Sequence, residues 1–103
     1  MVRAKPNETR LAGTVREVRR AGRKGDAVDL VVAVERADEI EGCANLLADT
    51  PGQELTVTVD AEDVTDAEVK PGKRIVLGAE LRGPGAVWSR PKSLRADEKR
   101  RTS

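Results

Sequence analysis

With 103 residues, 38% of them hydrophobic and 36% charged, the chain has material for one small domain with a lean core. It has no His and a single Cys, which removes imidazole bases, His-ligated metals, zinc clusters and an internal disulfide framework. The net charge of +1 hides opposed blocks: residues 1–34 hold eight Lys/Arg against four Asp/Glu, residues 35–68 one against eleven, and residues 69–103 ten against three. Blocks of +4, −10 and +7 create a field that chooses partners, and two basic ends folded onto one face would attract a polyanion. No apolar run approaches the roughly 18 residues of a membrane helix. The start, MVRAKPNETR, lacks the apolar segment of a signal peptide, so a soluble, cytoplasmic protein is expected.

Residues 1–8 read as a flexible N-terminal arm. From Leu11, apolar and small residues alternate through Gly13 and Val15, with Thr14 and Arg16 on the other face. Val18 falls out of phase by one position, which predicts a bulge near Arg16 and Glu17. Gly13 inside the strand predicts a bend or a closely approaching backbone. The segment RRAGRKGD (19–26) is a turn, and a second strand follows with Val28, Leu30, Val32 and Val34 in phase. Residues 36–49 fit two readings: a helix through Ile40, Cys43, Ala44 and Leu47, or a hairpin arm turning at DTPG (49–52), the second fitting slightly better. In the third strand Leu55, Val57 and Val59 face in, while Thr56 and Thr58 face out. Asp60 then looks like the N-cap of a short helix, with Glu62 and Asp63 in its first turn, ending near Val69 before Pro71 and Gly72. A fourth strand carries Ile75, Leu77, Ala79 and Leu81. The turn RGPG (82–85) leads to a fifth strand around Ala86–Arg90, and the polar stretch from Lys92 ends in a basic, disordered tail (95–103).

Three strands, a short helix and two more strands, opened by a bent, Gly-containing first strand, predict an all-β fold. The expected architecture is a five-stranded OB-fold-like Greek-key barrel over residues 9–94, with one short helix between strands three and four. The segment LAGTVREV (11–18) resembles the opening strand of OB-fold proteins of the single-stranded DNA-binding type. VKPGKRIVLGAEL (69–81) is similar to their fourth strand, and AVWSRPKSL (86–94) to their closing strand. The resemblance is one of pattern across the barrel.

In OB-folds the loops joining strands one to two and four to five flank a ligand face on strands two and three. Here those loops bring Arg16, Arg19, Arg20, Arg23 and Lys24 from one side and Arg82 and Arg90 from the other, with the acidic block expected elsewhere. These residues are the candidate contacts for single-stranded DNA or RNA. Trp88, the sole aromatic residue, is either a plug at the barrel's end or a stacking platform beside Arg82 and Arg90. The expectation is a non-enzymatic nucleic-acid-binding module without a cofactor. The alternative is a protein-interaction or homo-oligomeric assembly module that docks through its acidic face. The acidic run DAEDVTDAE (60–68) lacks the glycine and spacing of an EF-hand loop and reads as helix capping and a solvated face. Cys43 reads as a buried, small apolar residue. No nucleophile has an identifiable base, so catalysis is not expected.

Overall fold

The computed structural model describes residues 6–20 and 27–97. Its elements are β1 (Thr9–Arg20), β2 (Ala27–Glu39), β3 (Glu54–Asp60), α1 (Ala61–Asp66), β4 (Arg74–Leu81), β5 (Val87–Ser89) and β6 (Arg95–Ala96). The sheet order is β1-β2-β3-β5-β4-β6, and an additional β1–β4 pairing closes five strands into a barrel. Among these strand pairs only β3–β5 is parallel. The fold is a small, all-β, OB-like barrel with its short helix between strands three and four. Among the described residues no helix is long and apolar enough to cross a membrane.

Alternation explains the interior. Leu11 and Val15 from β1, Val28, Leu30, Val32 and Val34 from β2, and Val57 and Val59 from β3 turn inward. Ile75, Leu77 and Ala79 from β4 and Val87 from β5 complete the lining, with Leu47 and Leu94 folded in from loops. β-Branched side chains pack well on a pleated surface, so a core without a single aromatic ring still closes. Each fully buried Val, Leu or Ile contributes about 1.5–3 kcal/mol.

β1 serves two neighbours, and its two irregularities make that possible. It pairs with β4 from Thr9 to Thr14 and with β2 over its whole length. At Gly13 the chain runs so close to β2 that a Cβ would collide with the Ala33 carbonyl oxygen and press on the Val32 side chain. Two residues on, the register jumps from Val15↔Val32 to Glu17↔Val31, leaving Arg16 as the bulged residue. This is where β1 has left β4 and follows β2 alone.

The stretch after β2 follows neither reading of residues 36–49. β2 runs on to Glu39, and the next fourteen residues form an irregular loop. The loop is pinned by a bridge between Asn7 and Ala44, by Leu47 in the core, and by a turn in which the Gly52 N–H returns to the Val34 carbonyl. Asn45 stabilises it internally, accepting from Thr9 Oγ1 at 2.6 Å and donating to the Ala37 carbonyl. Side-chain hydrogen bonds of this kind satisfy the backbone without a ladder, which apolar spacing cannot reveal. Cys43 is half-buried there rather than buried.

The described residues of both flanking segments make contacts with the barrel. Asn7, assigned to the arm, brackets the Leu81 backbone, donating to its carbonyl at 3.1 Å and accepting from its N–H at 2.7 Å. Arg95 and Ala96, assigned to the tail, pair with Val76 and Ile75 along the β4 edge that β5 also uses. Asp60 occupies the helix N-cap position, yet its side chain makes no capping bond. The helix ends at Asp66, three residues earlier than expected, and Lys73 Nζ donates to the Ala67 carbonyl at 2.9 Å beyond its end. Asp63 is buried rather than solvated: its Oδ2 accepts the Lys92 N–H at 2.9 Å and ties the helix to the segment after β5.

Candidate functional site

Strand register places the candidate residues. Arg19 on β1 lies opposite Asp29 on β2, Asp29 opposite Thr58 on β3, Thr58 opposite Trp88 on β5, and Trp88 opposite Glu80 on β4. Cross-strand partners share a face, so these five side chains form one row around the outside of the barrel. Val87 and Ser89 are buried on either side of Trp88, which turns the indole outward and leaves it half-buried. Trp88 is therefore no plug. The strand alternation that buries its neighbours puts it on the surface.

The row is wired together. The Arg82 guanidinium sits 4.7 Å from the centroid of the Trp88 ring, within cation–π range. Glu80 Oε1 holds it there, accepting from Nε at 3.3 Å and Nη2 at 3.1 Å. Thr58 Oγ1 donates to Asp29 Oδ1 at 2.9 Å. At the far end Arg19 donates to both oxygens of Glu17, at 3.0 and 3.1 Å. These hydrogen bonds, and then the charge of the guanidinium, hold the Glu17 carboxyl below its ordinary value, and Glu17 raises Arg19 in the same way.

The other candidates separate into different neighbourhoods. Arg16, on the bulge, reaches Glu54 at 3.7 Å, near the opposite end of β3 from Thr58. Arg90 lies two residues beyond Trp88, where its N–H donates to the Gly78 carbonyl and its Nη1 meets Glu8 Oε1 at 3.3 Å. Arg20 ends β1 opposite Val28. Arg23 and Lys24 lie outside the described residues. Arg19, Arg82 and Trp88 are thus joined by one row, with Arg19 and Trp88 three strand spacings apart, about 14 Å along the sheet.

The expected separation of acid from base does not hold. Arg16, Arg19, Arg82 and Arg90 each carry a carboxylate partner, and Glu17, Glu80 and Glu8 come from within the basic thirds of the chain. The signal for two of these pairs is local. Glu17/Arg19 stand at i and i+2 on β1, and Glu80/Arg82 at i and i+2 across the end of β4, hence on one face. Net charge by thirds averages that pairing away. Asp29, Thr58 and Glu80 were missed as site neighbours for a different reason: their approach to Trp88 depends on register across four strands.

No protein-family model and no curated protein matches the chain. Its chemistry is read from geometry: an outward indole carrying a guanidinium, flanked by a hydroxyl and two carboxylates. That set can stack a flat ring, accept hydrogen bonds from amino groups, and offer a cation to a nearby anion.

Proposed function

We propose that the protein is a non-enzymatic binding module for single-stranded nucleic acid, laid along the row from Arg19 to Trp88. The observation that carries this reading is the Trp88–Arg82 stack on the outside of the barrel, beside the hydrogen-bonding pair Thr58–Asp29. A base stacked on such a platform is worth about 1–3 kcal/mol, independent of its identity. The paired guanidiniums give phosphates a weaker pull than the count of arginines suggests, so stacking contributes more here than charge.

Trp88 is also the only aromatic residue, so its emission reports directly on the platform. A short oligothymidylate is expected to quench that emission and to raise the anisotropy of a labelled strand at low salt. Affinity should fall with salt at a slope of about −0.7 per phosphate contacted. Absence of binding at low salt, or binding indifferent to salt, overturns the reading.

One observation favours a second reading, an interaction module for a protein partner or for another copy of this chain. Alternating guanidinium and carboxylate along the surface suits a partner of mixed charge better than a polyanion. Light scattering across a salt series separates the two: self-association that weakens with salt supports assembly, and a monomer at every ionic strength removes the homo-oligomeric form.

A further inference from the structure

The outer face of β4 differs from the Trp88 row and carries a site of its own. Along β4, Gly78 and Val76 point outward. Gly78 lies between Arg10 on β1 and Arg90 beyond β5, and Val76 lies between Ala12 and Arg95 on β6. Because residue 78 has no side chain, the surface dips between its flanking strands. The dip is a cavity of about 250 Å³ with Gly78 and Val76 as floor, Arg10 and Arg95 on its sides, and Glu8 and Ser93 at its margin.

Two observations fix its chemistry. First, a carboxylate already lies in it: Glu8 is folded over Gly78 so closely that a Cβ there would strike its Oε2, and Arg90 meets its other oxygen at 3.3 Å. Second, Arg10 and Arg95 have no ion-pair partner among the described residues, whereas Arg16, Arg19, Arg36, Arg74, Arg82 and Arg90 all do. The cavity is thus lined by two guanidiniums, Arg10 and Arg95, and one carboxylate, Glu8, which Arg90 engages from outside the lining; Asp38, opposite Arg10 on β2, is paired with Arg36. Guanidiniums facing a common space match the oxygens of a tetrahedral anion, each through paired N–H donors. The volume admits such a group and lies just under the roughly 300 Å³ at which pockets for drug-sized ligands begin.

We infer that this cavity binds a phosphate group through Arg10 and Arg95, with Glu8 as the internal anion that competes for the same cations. The inference does not rest on the Trp88 platform. The test is an amide NMR titration of the full chain with inorganic phosphate, at ionic strength held constant with chloride. Saturable shifts at Gly78, Val76 and Ser93 are expected, weakened at least tenfold in R10Q/R95Q and strengthened several-fold in E8Q, which keeps the side chain's shape and removes its charge. An unchanged amide spectrum away from the site shows that the variants are folded. A second arm replaces phosphate with an oligothymidylate: movement of the same amides assigns the phosphate to a strand, and movement with inorganic phosphate alone assigns it to a free phosphorylated molecule. No saturable shift in either arm, or an E8Q variant that binds no better than the parent, overturns the inference.

Discussion

The Trp88 row and the β4 cavity lie on the same barrel, two residues apart along β4 from Glu80 to Gly78, and use the same kinds of side chain to opposite effect. In the row, Glu17 and Glu80 each grip the arginine two positions on, so the guanidiniums are oriented and largely neutralised, and the exposed indole is the distinctive feature. In the cavity, Glu8 engages Arg90 but leaves Arg10 and Arg95 with no partner among the described residues. The lesson is that a basic surface is defined by which cations lack a carboxylate within reach, not by how many are counted.

The largest effect should come from the seam that supports both regions. Gly13 lies where β1 passes between β2 and β4, and an added methyl group meets the Ala33 backbone, which has no flexible end to yield. G13A should lower stability by about 3 kcal/mol, read from the denaturant midpoint at unchanged slope. A variant within about 0.5 kcal/mol of the parent would show that β1 and β2 are not so closely apposed there.

Removing the indole separates the two regions. W88A exposes little new core, since Val87 and Ser89 point inward on either side, and should cost about 1 kcal/mol of stability. Oligonucleotide affinity should fall by about 1–3 kcal/mol, while inorganic phosphate should still shift Gly78. A loss of both activities together would merge the regions into one site.

What could be read from the chain beforehand follows the same division between local and distant causes. The barrel was legible because its signals are local: period-two alternation, Gly13 in mid-strand, and the phase slip that places a bulge at Arg16. The loop after β2 was not, because Asn45 and Ala44 are held by Thr9 and by the Asn7 bridge, which lie far off in sequence. Asp63 read as a solvated helix residue because its partner, the Lys92 N–H, is 29 positions away. At the site, Trp88 and Arg82 were legible as candidates, but the outward turn of the indole needed the burial of its neighbours. Arg10 and Arg95 were missed outright. Gly78 was the available clue, since a glycine inside an alternating strand marks a close approach, here by the Glu8 carboxylate.

A smaller change sharpens the contrast by unpairing one cation. E80Q removes the carboxylate that holds Arg82 over the ring. Stability should change by less than about 1 kcal/mol, as for other partly exposed pairs. Oligonucleotide affinity should rise at low salt, and its salt slope should steepen by about 0.7 if Arg82 gains one phosphate. An unchanged slope would show that the Glu80 charge does not restrain Arg82.

The smallest effect is the acid titration of Glu17. Its carboxyl is held below the ordinary glutamate value by two hydrogen bonds from Arg19, so the folded protein binds that proton less readily than the unfolded chain. The pair's contribution is fully present above the ordinary glutamate value and disappears as pH falls through the lowered one. Because both side chains are exposed, the consequence for stability is slight, and the direct readout is the Glu17 carboxyl carbon followed by NMR. Its midpoint should lie below the ordinary value and return to it in R19Q. The same protonation releases Arg19, so oligonucleotide binding at the row should strengthen across that pH interval more in the parent than in E17Q, where only the remaining carboxylates of the row titrate. A Glu17 midpoint unmoved by R19Q would mean that Arg19 is not held, and the row would then carry a free cation as the cavity does.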